Sequence, residues 1–159
     1  AAGESPIEAV GQMAAIAPAA VQAEAVSLDA DFINKQFQRI DQSIAMAALF
    51  TAHHLGCKAI IALTESGSTA LWMSRHKIHV PIFGLTAKST SLHKMALYRN
   101  VRPLLVPNFT DRDEALAQAE AILVARGVLM PGDTYAITCG EPMGHPGGTN
   151  MLKVCEVKA

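Results

Sequence analysis

The sequence lacks an excess of charge of either sign. Its 159 residues carry 13 Lys and Arg against 14 Asp and Glu, which gives a formal net charge of −1. Binding to nucleic acid or to an anionic lipid surface depends mainly on an excess of positive charge. The near balance therefore predicts no nucleic-acid partner and no membrane-surface partner.

Long apolar runs and cysteine pairs are also missing. No apolar run approaches the about 18 to 20 residues of a transmembrane helix, and the alanine-rich start lacks the basic segment and apolar core of a signal peptide. Cys57, Cys139 and Cys155 form no C-x-x-C pair. An odd count without that spacing is typical of reduced thiols rather than of a disulfide framework. We therefore expect a cytoplasmic protein without a membrane span.

No residue pattern indicates a metal site or a catalytic triad. His53 and His54 are adjacent and so point to different faces of a helix, and no Cys and His pair has zinc spacing. No nucleophile-elbow motif is present, although a triad assembled from separate loops would leave no such motif. We expect no metal ligand in this chain, and these patterns assign no catalytic residue.

The order of apolar and helical segments predicts an α/β fold. Apolar, mostly uninterrupted segments separated by helices are typical of a parallel sheet that is covered on both faces. The last segment alternates apolar and polar residues, which favours an antiparallel edge strand. We expect a three-layer α/β/α domain with about five helices and a mostly parallel five-stranded sheet. The expected strands lie at 58–64, 80–86, 101–106, within 131–140 after a turn, and at 149–157.

Capping residues indicate where the helices begin and end. Asp41 is the expected N-cap of a helix that ends at Gly56. Thr110 and Asp113 form the expected capping box of a long helix at 112–126. Shorter helices are expected at 68–76 and 89–97.

The start of the chain has a helix signature of its own. Ser5 suits an N-cap, Pro6 the first helical position and Glu8 the end of a capping box. Pro18 must kink or end this helix. Residues 27–40 have no steady period, so they are interpreted as a connector between two structural units.

The segment TESGST crowds hydroxyls around one glycine at a predicted strand-to-helix junction. In open α/β sheets, ligands bind outside the carboxyl ends of the strands. Backbone N–H groups and hydroxyls at such a turn can surround a phosphate, and Gly67 lets the backbone approach closely. The alternative is that Ser66 or Ser68 merely caps the helix.

The segment TCGEPMGHPGGTN, residues 138–150, places four glycines and two prolines between two strands. A long loop in a compact domain is often functional, because ordering so much flexible backbone costs entropy. No helix follows these glycines, so the segment is not a dinucleotide-binding fingerprint. A plain hairpin or crossover loop is the alternative.

Five segments, taken in order, carry a family resemblance: ESPIEAVGQM, TESGSTALWMSRHKIHVPIFGLT, ALYRNVRPLLV, GVLMPGDTYAITCG and GGTNMLKV. Together they resemble the C-terminal part of pyruvate kinase over nearly the whole chain. The resemblance implies that residues 1–26 are the last helix of a catalytic barrel, 27–40 a connector and 41–159 the C-terminal α/β domain. In this family the barrel carries the active site with its magnesium and potassium ions. The chain would therefore be a fragment that is inactive alone and has no cofactor of its own.

The same resemblance assigns roles to both loops. In regulated members, the first loop binds the phosphate of a sugar phosphate or nucleotide effector, and the second folds over that ligand. The implied phosphate-binding residues are Thr64, Glu65, Ser66, Gly67, Ser68 and Thr69. The implied effector loop contains Gly140, Gly144, His145, Gly147, Gly148, Thr149 and Asn150.

The resemblance also implies partners. The domain would contact the barrel of the same enzyme and contribute to a homotetramer. The parent enzyme would transfer a phosphoryl group from phosphoenolpyruvate to ADP, a step of glycolysis. An effector would shift a preexisting equilibrium between subunit arrangements.

Three departures from the family pattern narrow the expected effector. Bisphosphate-responsive relatives tend to carry a Trp and an Arg around the start of the helix that here reads FTDRDEALAQ, and this chain offers only Arg112 as a possible second contact. Glu65 stands where some of these relatives have Lys, and Ser68 where Arg is frequent. A like charge near a phosphate is unfavourable unless it points away or pairs with a cation. We therefore expect a monophosphate, such as AMP, ribose 5-phosphate or glucose 6-phosphate.

Two other functions stay open on the sequence alone. One is a purely structural oligomerisation domain with a vestigial pocket. The other is an independent small α/β enzyme that acts on a phosphorylated metabolite.

Overall fold

A computed structural model describes residues 7–8, 11–12 and 36–158. Residues 7–8 and 11–12 are helical, which agrees with the helix expected there. The predicted cap at Ser5, the kink at Pro18 and most of the connector at 27–40 lie outside the described residues.

Residues 36–158 form four helices and five strands. In chain order these are α1 (Ile40–His54), β1 (Ala59–Leu63), α2 (Ser68–Ser74), β2 (Ile82–Thr86), α3 (Ser89–Met95), β3 (Val101–Leu105), α4 (Arg112–Ala125), β4 (Thr134–Gly140) and β5 (Thr149–Glu156).

The strands form one sheet in the order β3-β2-β1-β4-β5. β1 pairs in parallel with β2 and β4, and β2 pairs in parallel with β3. β5 pairs antiparallel with β4 at the edge. The predicted sheet, mostly parallel with an antiparallel edge strand, is confirmed.

Two apolar cores lie on opposite faces of this sheet. Ile60 and Ile61 are neighbours in β1 and point to opposite faces, as side chains of a strand do. On one face, Ile60 packs in the cluster that includes residues of α1, α2 and α3. On the other face, Ile61 packs in the cluster that includes residues of α4. This arrangement confirms the three-layer α/β/α fold.

Asp41 does not cap α1, so this prediction was wrong. The helix begins at Ile40, and the residue at its N-cap position is Arg39, whose side chain makes no capping bond. The Asp41 carboxylate is nearly buried and accepts two bonds from the Arg39 guanidinium, both 2.9 Å long. The carboxylate also accepts a 3.0 Å bond from the N–H of Gln42, and it lies within the first helical turn, where its negative charge suits the helix dipole.

The capping box predicted at Thr110 and Asp113 is also wrong. α4 is capped by Asp111, whose Oδ1 accepts a 2.8 Å hydrogen bond from the Glu114 N–H. Asp is as good an N-cap as Ser or Thr, and Asp113 instead pairs with Arg112. The predicted N-cap lies one residue before the observed one.

The three cysteines are free thiols. Burial raises the pKa of Cys57 and of Cys139, which makes both thiols poor nucleophiles. No helix in the described part of the chain has the length and apolar character of a membrane span.

Candidate functional site

The sheet has a topological switch point between β1 and β4. After β3 the chain crosses from one side of β1 to the other and enters β4. In open α/β sheets, ligands bind in the crevice outside the carboxyl ends of the strands at such a point. Here these ends lead into the segments that begin at Thr64 and at Gly140.

A small cleft lies at this end of the sheet. Thr64 and Glu65 line it from the first predicted loop. Loops that follow β2 and β3 contribute the remaining wall, from Thr86 and Ala87 and from 106–109. The second predicted loop contributes Gly140, Met143, Gly144, His145, Gly147 and Thr149. The structure therefore brings parts of the two loops together around one space. Of the predicted site residues, 66–69, Gly148, Asn150 and Arg112 do not line it.

The hydroxyls of the first loop bind the backbone of the same loop. Gly67 has a φ of 80°, in the left-handed region, and its N–H donates to Thr64 Oγ1 at 3.0 Å. The Ser68 N–H points to Ser66 Oγ across a longer 3.4 Å. Glycine fits this backbone conformation without the strain of a Cβ. Gly67 occupies the N-cap position of α2 and no side chain makes a capping bond there, so the alternative that Ser66 or Ser68 caps this helix is wrong.

Ser68 is linked to Asp41, at the start of α1. The Ser66 hydroxyl donates to Ser68 Oγ at 3.2 Å, and the Ser68 hydroxyl donates to Asp41 Oδ2 at 3.3 Å. Asp41 Oδ2 also accepts from Arg39. Arg39, which the sequence assigned to the connector, is thus linked to the first loop through the Asp41 carboxylate.

Glu65 has a cationic partner. Its Oε2 lies 3.0 Å from Lys88 Nζ, just before α3. Its backbone carbonyl accepts a 2.7 Å bond from the Ser91 hydroxyl. The negative charge that the sequence places beside the predicted phosphate position is therefore compensated by a lysine from the next βα connection.

Thr69 and Thr149 join the two loops. Their Oγ1 atoms are 2.7 Å apart, and the two residues are 0% and 5% exposed. They are 80 positions apart in the chain. No local pattern in the sequence indicates this contact.

The second predicted loop, between Gly140 and Asn150 and called the glycine loop below, is closed at its base by Asn150. Its side chain accepts from the Glu141 N–H at 2.8 Å and donates to the Glu141 carbonyl at 2.7 Å. Gly144 and Gly147 have positive φ angles of 86° and 71°, so both turns suit glycine. The Gly148 N–H donates to the His145 carbonyl at 3.0 Å.

Arg112, the possible second contact, pairs with carboxylates. Its Nε lies 2.8 Å from Asp113 Oδ1, and its Nη1 lies 3.6 Å from Glu141 Oε2. Arg112 therefore holds one end of the glycine loop. These pairings raise its pKa, mainly through the hydrogen bond with Asp113.

Arg39 lies against the glycine loop. Its Nη2 is 3.0 Å from the position that a Cβ on Gly147 would occupy. Gly147 itself lines the cleft. Arg39, Asp41 and Lys88 were all absent from the predicted site, because each belongs to a segment that the sequence assigned to a connector, a cap or a helix start.

Comparisons with known proteins agree with this architecture. The family model for the pyruvate kinase alpha/beta domain matches residues 42–155. Pyruvate kinase of Buchnera aphidicola subsp. Acyrthosiphon pisum is 37% identical over 99% of this chain and 33% of its own length. Pyruvate kinase II of Salmonella typhimurium is 35% identical over 99% of this chain and 33% of its own length.

A third relative gives a similar result. Pyruvate kinase of Staphylococcus epidermidis is 35% identical over 97% of this chain and 26% of its own length. The chain thus spans about a third or less of the relatives it matches. It belongs to the pyruvate kinase family and contains that family's α/β domain.

Proposed function

We propose that this chain is an effector-binding domain of a cytoplasmic pyruvate kinase, and that its cleft takes the phosphate of a sugar monophosphate or of AMP. The observation that carries the proposal is the meeting of the two loops around one cleft at the switch point of the sheet. The sequence marks each loop separately. Their convergence at the place where α/β folds bind ligands supports a common binding role.

Groups that can hold a phosphate are present in the first loop. The N–H groups of Gly67 and Ser68 now donate to hydroxyls of Thr64 and Ser66. Hydroxyl rotamers interconvert readily, so a phosphate oxygen can replace either acceptor while the hydroxyl turns to donate to the ligand. The weak 3.4 Å contact at Ser68 is the easier one to replace.

The charges beside this loop are balanced. Lys88 neutralises Glu65 at 3.0 Å, so a phosphate does not meet an uncompensated carboxylate there. This ion pair answers the objection that Glu65 alone would raise beside a phosphate.

The glycine loop supplies a cover. His145, Gly144 and Gly147 line the cleft from one side, and Thr149 at the foot of this loop bonds to Thr69 of the other loop. A ligand that contacts both loops would favour one arrangement of the domain over others. Allosteric coupling of this kind is typically worth about 1–3 kcal/mol.

We propose further that the longer protein transfers the phosphoryl group of phosphoenolpyruvate to ADP, since the matched relatives are pyruvate kinases. Its catalytic residues, magnesium and potassium would lie in the barrel and not in this chain. Homo-oligomerisation is the second proposed role. The apolar residues Ile40, Phe50 and Leu55 are 69%, 44% and 57% exposed along or just after α1, which supports it.

Calorimetric titration of the intact protein with AMP, ribose 5-phosphate and glucose 6-phosphate tests the binding role. We expect at least one of them to bind, and Thr64→Ala with Ser66→Ala to weaken that binding at least tenfold. Ser43→Ala with Thr51→Ala on α1 removes two hydroxyls away from the cleft and serves as the control. Equal affinity in the loop variant and wild type would refute the assigned loop. Silence of the whole panel at millimolar concentration would favour a purely structural domain.

A further inference from the structure

We propose that Arg39 provides a guanidinium contact to the effector phosphate, and that Asp41 positions it; this inference rests on the proposed function of the cleft. The chain offers no arginine in the first loop, where Ser68 follows Gly67. Arg39 comes instead from the segment that leads into α1. It would therefore determine both the charge preference of the cleft and its link to the preceding part of the chain.

The geometry directs Arg39 to the junction of the two loops. Asp41 Oδ2 accepts from Arg39 Nη2 at 2.9 Å and from the Ser68 hydroxyl at 3.3 Å. The guanidinium and the first loop are therefore neighbours across one oxygen atom. The same Nη2 atom lies beside Gly147 of the glycine loop, 3.0 Å from the position that a Cβ would occupy there.

Arg39 keeps donors for a ligand while it is paired. A guanidinium has five N–H donors, and Asp41 takes one from Nε and one from Nη2. Its side chain is 55% exposed, whereas that of Asp41 is 1% exposed. A buried carboxylate that grips one edge of a guanidinium fixes its plane and leaves the other edge for an anion.

The balance of charges beside the first loop also supports a role for Arg39 in phosphate binding. Arg39 and Lys88 are the cations beside the first loop, and each is matched by one carboxylate, Asp41 or Glu65. Without Arg39, this set would carry a net charge of −1 before any phosphate arrives. A phosphate monoester carries about −1.5 to −2 near neutral pH, so the loss of Arg39 would turn the cleft from tolerant to repulsive.

The space around Gly147 also fits this role. A Cβ at Gly147 would lie 3.0 Å from Arg39 Nη2, and this residue has a φ of 71°. A glycine at this position lets the guanidinium approach the loop backbone closely. The contact brings Arg39 to a residue that lines the cleft.

The test compares Arg39→Gln with Asp41→Asn in calorimetric titrations of the intact protein with ribose 5-phosphate, AMP and inorganic phosphate. Arg39→Gln should weaken binding about tenfold. This is the low end for loss of a hydrogen bond to a charged group, because Arg39 is half exposed. Arg39→Lys should restore part of the affinity. Arg126→Gln removes an exposed arginine beyond α4 and should change nothing.

Asp41→Asn distinguishes a direct contact between Arg39 and the ligand from a purely structural role of the Arg39–Asp41 ion pair. It leaves Arg39 only one of its two acceptors but also removes a negative charge beside the phosphate, so affinity should fall less than in Arg39→Gln. If Arg39 merely braced the loop through the ion pair, both variants would break the same brace and weaken binding alike. Thermal melting of each variant confirms that it is folded.

Three results would overturn the inference. Wild-type affinity in Arg39→Gln would overturn it while leaving the effector site in place. Equal weakening by Arg39→Gln and Asp41→Asn would reduce Arg39 to a structural role. Absence of any binding by the wild-type protein would remove the proposed function and this inference together.

Discussion

The hydroxyl pair of Thr69 and Thr149 gives a prediction that the structure makes quantitative. Thr149→Val keeps the shape of the side chain and removes its hydroxyl. The Thr69 hydroxyl then stays buried without its 2.7 Å partner, in a residue that is 0% exposed. Water cannot easily replace the lost bond at such a position.

The expected cost follows from that burial. A buried polar group left without a partner costs about 1–3 kcal/mol, whereas replacing both partners by apolar groups of the same shape can be nearly neutral. We therefore expect Thr149→Val to destabilise the domain by about 2 kcal/mol. The double variant with Thr69→Val should recover most of that loss.

Urea unfolding followed by circular dichroism measures both effects. A loss of about 2 kcal/mol corresponds to a midpoint shift of roughly 1 M for a domain of this size. Thr134→Val, at the start of β4, is the matched control and should shift the midpoint little. If the effects of the two single variants simply added in the double variant, the hydrogen bond would carry no coupling and the reasoning would be wrong.

Two further predictions concern charge and assembly. Glu65→Gln should tighten ribose 5-phosphate binding by about 1 kcal/mol because it frees Lys88, whereas Lys88→Gln should weaken it; calorimetry that shows the same direction for both would contradict the proposed balance. Phe50→Glu should lower the oligomer mass measured by light scattering, since it places a charge on the exposed apolar side of α1, while Gln118→Glu on α4 should not; an unchanged mass in both variants would exclude this surface from the interface.

Most of the fold could be predicted because its signals are local. Each buried strand is a short apolar run, and β1 and β2 are buried at every position. The alternation of such runs with helices restricts the topology to a few parallel arrangements. An edge strand could be predicted at β5 because its sequence, TNMLKVCE, mixes polar and apolar residues, unlike the continuous apolar runs of the central strands.

The two helix caps were mispredicted for a related reason. A capping motif is read from neighbours along the chain, but the side chain joins whichever partner the fold supplies. Asp41 pairs with Arg39, and α4 is capped by Asp111, one position after the predicted Thr110. At α4 the sequence offered two acceptable caps, Thr110 and Asp111, whereas at α1 no side chain caps the helix.

The site was predictable as loops but not as a set of contacts. Hydroxyls and glycines mark the two loops wherever the fold places them. Partners such as Lys88 for Glu65 come from other connections of the sheet, 23 positions away in this case. Thr69 and Thr149 meet across 80 positions. These pairings can be predicted only once the strand order is known.

The distribution of charge supports the proposed preference for one phosphate over two. Arg39 and Lys88 beside the first loop are each matched by one carboxylate, so a single phosphate there meets a balanced set. Arg112 faces two carboxylates, Asp113 and Glu141. A second phosphate near Arg112 would therefore have to displace an existing ion pair. A ligand with one phosphate avoids that cost, which is why a bisphosphate should bind no more tightly than the corresponding monophosphate.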